Sequence, residues 1–534
     1  MDLRTNHAVV TAAEPIASQM QEQGVELDYV LPDYYPDVCK LVKCFVTPVI
    51  VSESISGDRL SYELRAEVRI LYCSENSHVL QCVTQTLHFS RTAELPAGEN
   101  LTADLTAVTD YVNCRAVSRR RLDVRGAVSV RIRICTARQQ EVLSDVFEKS
   151  IQLRKIPVQY PARRFHTDKT LVLAEELELS SAKPPVLHIV RCDAKPSEES
   201  HKLVSGKLMV QGSLAVQLLY ACEKDGEALL EPMSFRIPYS QLVELDGMEE
   251  QDFCRVQCRV ISCDLKPVAD AGGDVRLLRC EAELRLSCTA LRTVTEALVC
   301  DAFSTEHPCT VQSETLTVGG APTPFTEMQA YSTKLSCTDG TLGCVCDAWC
   351  EVRNLTARVQ TDTSEVLISG MLCCNVLVQD QDGMPELLEK EEPFEHRFAA
   401  GELGNSDVVE VEATAENCTY TLSAKGEISL KAELRMEGNI RHYRDFRILT
   451  EVQLEAAVHP KDCALKLYFG RAQEQIWEIA KRCHTSVEAI MEENELTGEA
   501  LTENGMLLIP ITGGNGCRTD TAAPTGTEAF HFAG

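Results

Sequence analysis

The sequence predicts a mainly β fold, with three tandem β-rich domains followed by a small βααβ domain. Three observations point there. The segments GAVSVRIRI from Gly126, CEAELRLSC from Cys280 and GEISLKAEL from Gly426 alternate apolar and polar residues without a break. Each is preceded by another patterned stretch ending in a similar triplet: Ile70-Leu71-Tyr72, Leu218-Leu219-Tyr220 and Val376-Leu377-Val378. Near the C-terminus the stretch QIWEIAKRCHTSVEAIMEEN, Gln475–Asn494, changes to helical spacing.

Period two is the mark of a strand with one buried and one solvated face. Val128, Val130, Ile132 and Ile134 form the apolar face of the first segment. Ala282, Leu284, Leu286 and Cys288 form that of the second, and Ile428, Leu430, Ala432 and Leu434 that of the third. The copies lie roughly 150 residues apart, a spacing that suits tandem domains better than a solenoid. The expected domains are 24–155, 160–315 and 325–457, after an N-terminal segment 1–23. The Asp-Gly steps in EKDGE (Glu223–Glu227) and QDQDGMP (Gln379–Pro385) predict tight hairpins. Breaks between domains are expected at KIPVQYPARRF, where Pro157 and Pro161 do not suit a central strand, and at GGAPTPF from Gly319. The residues from Gly513 to the end, small and polar, are expected to be disordered.

In the terminal unit, 463–512, Ile476, Trp477, Ile479, Ala480 and Cys483 form one helical apolar stripe, and Val487, Ile490 and Met491 a second. Thr485 and Glu488 fit a capping box at the start of the second helix. A short strand, LKLYF from Leu465, precedes the helices, and another, MLLIP from Met506, follows. Trp477, inside its stripe, is expected to fill the small core.

Composition narrows the function. Lys+Arg total 52 against 80 Asp+Glu, a formal net charge of −28. Such a surface repels phosphate backbones and anionic lipid, so nucleic acid and bare membrane are poor partners. The N-terminus MDLRTNHAVV has no secretion-signal pattern and no stretch suits a membrane span, so the chain is expected in the cytoplasm of the cell that makes it. Its 25 cysteines are then read as small buried hydrophobes, as at Cys73, Cys222 and Cys374. Two loose groups, Cys254/Cys258/Cys263 and Cys344/Cys346/Cys350, lack structural-zinc spacing, and no metal or other cofactor is expected. No phosphate-binding glycine loop, metalloprotease helix or nucleophile elbow is present, so no enzyme activity is expected. Arg119, Arg120, Arg121, Arg125, Arg131 and Arg133 make one cationic patch, read as a solvated face or as pairing with acidic neighbouring domains.

The terminal unit resembles a LysM domain. The resemblance rests on the strand ending in Tyr468, on I-W-E-I-A (Ile476–Ala480), S-V-E-A-I (Ser486–Ile490) and Asn494, and on G-M-L-L-I-P (Gly505–Pro510). It implies a shallow groove for N-acetylglucosamine-containing glycans, lined by the turn before the first helix and the loop after the second. Those positions are Arg471, Gln473, Glu474 and Gln475 on one side, and Glu493, Asn494, Glu495 and Leu496 on the other. Where such domains carry Gly-Asp-Thr or Gly-Asp-Ser, this chain has Gln473, Glu474 and Gln475, so the small tight turn and its Asp/Thr cap are expected to be gone and a protein surface is the expected ligand.

Together with L-P-D-Y-Y-P-D-V (Leu31–Val38) and G-x-L-x-V-x-L-L-Y (Gly212–Tyr220), this order resembles the SipL-type spore coat morphogenetic proteins of clostridia, whose repeats are SPOCS domains. That resemblance implies a scaffold at the forespore surface in the mother-cell cytoplasm. Its LysM domain would contact a stage IV sporulation protein A-like ATPase, the basement layer of the coat, with other coat proteins as further partners. The competing reading is a peptidoglycan-binding protein of the spore cortex or cell wall.

Overall fold

The computed structural model describes residues 3–74, 80–98, 100–204, 206–224, 227–269, 272–336, 342–381, 383–423, 427–456, 459 and 463–511. The tail expected to be disordered, the Asp225-Gly226 turn and Asp382 lie outside them. The chain is mainly β, as the periodicity predicts.

Six strands make the first repeat: β1 (Thr5–Val30), β2 (Val38–Ser56), β3 (Arg59–Ser74), β4 (Leu80–Glu94), β5 (Thr102–Ser118) and β6 (Arg121–Val146). They form two antiparallel three-stranded sheets, β1-β6-β5 and β2-β3-β4. The second repeat copies the plan with β7 (Ile151–Glu178), β8 (His188–Val204), β9 (Lys207–Lys224), β10 (Glu227–Glu244), β11 (Phe253–Ala269) and β12 (Val275–Ser304). Its sheets are β7-β12-β11 and β8-β9-β10. In both repeats the alternating face is what the two sheets bury: Val128, Val130, Ile132 and Ile134 are fully buried, and Ala282, Leu284, Leu286 and Cys288 equally so.

The third repeat starts with β13 (Cys309–Gly319) and β14 (Thr323–Ser336), two halves of one interrupted strand. β15 (Leu342–Gln360), β16 (Glu365–Asp380), β17 (Pro385–Ala399) and β18 (Val408–Leu422) follow. β19 (Glu427–Arg441) and β20 (Tyr443–Leu454) are the matching halves of the last strand. The double break is held together by a carboxylate. Asp407, whose side chain is fully buried, accepts from the backbone N–H groups of Gly404 and Tyr443 and pairs with His442 and Arg444. Burial alone would raise its pKa, but these donors outweigh burial and hold the carboxyl below its ordinary value.

Two sequence expectations need correction here. Pro157 and Pro161 do not interrupt the chain. They lie inside β7, opposite Ala297 and Thr293 of β12. β7 pairs on one side only, so neither missing N–H is needed. Likewise 1–23 is not a separate segment, because β1 runs through it from Thr5. The chain passes between repeats at the short turns 147–150 and 305–308 instead.

The first and last strands of every repeat outrun their sandwich as a two-stranded ribbon, and the three ribbons pack together. Each has its irregularity at the same place, across Ser144, Cys300 and Thr450. That shared register makes Val142, Leu298 and Ile448 equivalent, and likewise Val10, Val158 and Leu316. All six are buried in one cluster. The sandwiches meet at a second centre, where Leu71, Leu219 and Leu377 from the three matched triplets pack together. The molecule is thus a ring of three repeats about a pseudo-threefold axis.

Charges close that ring. Arg69 donates to Asp193 at 3.1 Å, Arg191 pairs with both Asp193 and Asp347, and Lys43 pairs with Glu389. Glu410 of the third repeat accepts Arg133 of the first at 2.6 Å and Arg255 of the second at 2.8 Å. Most of the cationic patch is therefore used internally. Arg120 holds the 31–38 loop through Leu31, Pro32, Tyr35 and Asp37, Arg121 pairs with Asp28, and Arg125 lies 3.5 Å from Asp123.

Candidate functional site

The terminal unit comprises β21 (Leu465–Gly470), α1 (Ile476–Cys483), α2 (Val487–Glu493) and β22 (Gly505–Pro510). β21 and β22 pair antiparallel, and the helices cover one face of the ribbon through Ile476, Ile479, Ile490, Leu507 and Ile509. The cap of α2 differs from the sequence reading: Ser486, not Thr485, accepts the N–H of Ala489, at 3.2 Å. Thr485 is buried and donates its hydroxyl to Pro510 O, joining the helix link to β22.

Each predicted groove residue can now be placed. The turn before α1 is fixed by Glu474, which accepts Tyr468 OH at 2.6 Å and the Arg471 N–H at 3.1 Å. The Tyr468 hydrogen bond is the main reason the Glu474 carboxyl stays below its usual pKa. Gln475 occupies the N-cap with no side-chain bond and bridges Ala500. Across the unit, Asn494 donates to Ile490 O and Leu508 O and accepts Leu508 N, so its amide is spent on holding the loop to β22. Leu496 packs against the core. Arg471, Gln473, Glu493 and Glu495 are exposed. The two arms are each tied to their own neighbours, the first through Leu501 and Glu499 and the second through β22.

Gln473 has φ = +70°, the left-handed region that favours glycine. Gln473→Gly is therefore expected to stabilise the turn and the helix after it by about 0.5–1 kcal/mol, read as a roughly two- to fivefold rise in amide-exchange protection through α1. Unchanged or weaker protection would show that the turn is not strained.

The alternation of β21 and β22 produces a feature that the sequence reading missed. With Tyr468, Leu507 and Ile509 facing the helices, Leu465, Leu467, Phe469, Met506 and Leu508 face solvent, 41–67% exposed. Leu467 sits opposite Leu508, and Phe469 opposite Met506. The signal was present in β22, which is apolar on both faces; β21 alternates, with Lys466 and Tyr468 on one face, and leaves its more apolar face in solvent.

The helical side, by contrast, is occupied. Trp477 donates its indole N–H to Asp301 at 2.8 Å, and Lys481 bonds the same carboxylate at 2.7 and 2.8 Å. The Phe303 ring meets Trp477 edge-on at 4.9 Å, and His484 stacks on His459 at 3.6 Å. Burial would raise the Asp301 pKa, but Lys481 and Trp477 hold it below the ordinary carboxylate value. Trp477 therefore serves the core, as its stripe predicts, and also docks the unit on the second ribbon.

The remaining candidate chemistry is sparse. Cys73, Cys222 and Cys374 are buried. Cys350 meets Cys418 at 3.5 Å and Cys374 at 3.7 Å. Among the described residues, no group of three His, Cys, Asp or Glu is placed to hold a metal ion, and no helix is long and apolar enough to cross a membrane.

The second repeat also explains what part of the Leu31–Val38 signature does. Tyr72 donates its hydroxyl to Pro36 O at 3.1 Å, and Tyr220 donates to Pro184 O at the same distance. A tyrosine at the end of the central strand thus latches the loop that leads into the second strand of the first two repeats, whereas the third has Val378 at that position.

Residues 185–268, beginning just after this latch and spanning β8 to β11, match the family model described as SipL, SPOCS domain. The second repeat thus carries a stretch similar to the SPOCS domain of SipL, a likeness that suggests a sporulation-related protein. No curated protein and no solved structure matches the chain significantly.

Proposed function

We propose that the protein is a non-catalytic scaffold of spore coat assembly, made of three SPOCS-like domains and a LysM-like terminal domain that binds a protein. In this reading it works in the mother-cell cytoplasm at the forespore surface. Its partner is the basement-layer ATPase, a stage IV sporulation protein A-like protein. The observation that carries the reading is the exposed apolar face of Leu465, Leu467, Phe469, Met506 and Leu508. A flat patch of aliphatic and aromatic side chains on a rigid ribbon suits the desolvated centre of a protein interface. The helical side is already docked, while this face is open to a partner. The SPOCS match supports the coat context. The groove residues Arg471, Gln473, Glu493 and Glu495 would form a polar rim.

Leu467→Glu combined with Phe469→Glu tests the proposal. Both side chains are more than 60% exposed, so the fold should be retained. Placing two charges in a buried apolar contact should weaken binding to the purified ATPase by roughly 100-fold or more, measured by biolayer interferometry on the full chain. Unchanged affinity would remove this face from the interface. Retention of the parent chain on purified peptidoglycan, without affinity for the ATPase, would favour the cell-wall reading instead.

A further inference from the structure

Two residues of the site that holds the terminal unit recur elsewhere in the molecule. On the second ribbon they are Asp301 and Phe303, two residues apart just beyond the irregularity at Cys300. On the first ribbon the same irregularity falls at Ser144, followed by Asp145 and Phe147. The sequences Leu143-Ser144-Asp145-Val146-Phe147 and Val299-Cys300-Asp301-Ala302-Phe303 therefore align residue for residue. The two aspartates also share a local geometry: each accepts the next residue's backbone N–H at 2.9 Å, Asp145 from Val146 and Asp301 from Ala302. This bond aims the carboxylate in the same direction in both ribbons.

Their occupancy differs. Phe303 is 4% exposed beneath Trp477, whereas Phe147 is 58% exposed. The Phe147 ring has the Arg4 guanidinium 5.2 Å from its centroid, and Asp145 has Lys155 at 3.4 Å, an exposed pair of small energetic weight. The third ribbon serves as an internal contrast. Its equivalent positions are Glu451 and Gln453, and Gln453 donates to Glu451 at 2.7 Å, leaving no ring and an engaged carboxylate.

We propose that Asp145 and Phe147 form a second docking site for the terminal unit, filled by that unit from another copy of this chain. The recognition chemistry is the one seen at the first site: an aromatic N–H and a cation one helical turn apart, as Trp477 and Lys481 are on α1, closing on a carboxylate and an aromatic edge. One terminal unit and two sites per chain give a head-to-tail contact. A unit that leaves its own Asp301 site for a neighbour's Asp145 site leaves the first site free for another chain's unit, so the contact can pass from chain to chain. Within one chain the tethered unit sees its own site at a high effective concentration, which keeps the isolated protein mostly self-docked. Local crowding on an assembling surface favours exchange.

The test uses full-length chains. Phe147 is replaced by p-benzoylphenylalanine in chains of natural isotopic composition, which are mixed with ¹⁵N-labelled parent chains and irradiated. Crosslinks from position 147 to the 476–484 peptide of the differently labelled chain are expected. Crosslinks only within one chain, or none to that peptide, overturn the proposal. A second measurement weakens the occupied site. Asp301→Asn with Phe303→Ser should release the unit and tighten self-association in sedimentation velocity by about 100-fold. Adding Asp145→Asn and Phe147→Ser should return the protein to single-chain mass. A double variant that stays monomeric, or a quadruple variant that still associates, counts against it.

Discussion

Leu298→Ala is expected to destabilise the whole three-repeat ring by about 3–5 kcal/mol, not the second repeat alone. Leu298 is fully buried among Val10, Val142, Val158, Leu316 and Ile448, side chains contributed by all three repeats. A two-stranded ribbon has too little core to stand by itself. Each ribbon here is folded only because the other two cover its apolar face, so a cavity at the shared centre weakens all of them together. Urea unfolding should show one shifted transition, with Trp349 fluorescence in the third repeat and amide exchange in β6 of the first moving in step. Early melting of the second repeat alone, with the other two unchanged, would mean that the ribbons are independent.

That shared centre also marks where sequence reading stopped. The alternation at Val128–Ile134 and its two counterparts gave strand type, buried face and threefold recurrence, because period two is a local property of the chain. Ring closure is not local. Leu71, Leu219 and Leu377 were visible as matched residues, but nothing in a strand pattern says that matched residues from different repeats touch. The prolines misled for a related reason. Pro157 and Pro161 argue against a central strand, and whether a strand is central or at the edge depends on its neighbours.

In the terminal unit, helices and strands were legible from their periods, whereas the tight turn expected to be lost at 473–475 is still formed: the Glu474 N–H bonds Arg471 O at 3.0 Å, and Gln473 takes the left-handed conformation that glycine favours. What the residues of that turn and loop do was less legible. Asn494 and Glu474 look like ligand contacts in sequence but are spent on holding the backbone. The exposed apolar face escaped notice because β22, apolar on both sides, reads as fully buried, and the apolar face of the alternating β21 reads as the one turned to the core.

Arg191→Met should cost about 3–5 kcal/mol near neutral pH, the other large effect, because it leaves Asp347 without a cation and Asp193 with Arg69 alone at the junction of the repeats. The Arg191 side chain is 10% exposed and pairs with Asp193 and Asp347. The two acids respond differently. Asp193 is half-buried, and although desolvation would raise its pKa, Arg191 and Arg69 together hold it below the ordinary value. Burial outweighs Arg191 and the Ala348 N–H at Asp347, and its pKa is raised.

The sign of the pH dependence follows from these shifts. The depressed Asp193 stabilises the fold above its unfolded pKa and loses that contribution as pH falls through its folded value. The raised Asp347 opposes folding while ionised and is relieved as pH falls through its folded value. Removing the cation moves both folded pKa values upward, so the variant binds protons more readily than the parent. Its deficit should therefore be largest near neutral pH and shrink toward about pH 5, seen as converging urea midpoints. The guanidinium also lies over the Trp349 ring, 3.9 Å from its centroid. That contact is worth about 0.5–2 kcal/mol and is independent of carboxylate protonation. A deficit that stays constant with pH and falls within that smaller range would assign the role of Arg191 to stacking on Trp349, and the carboxylates would then be solvated well enough to do without it.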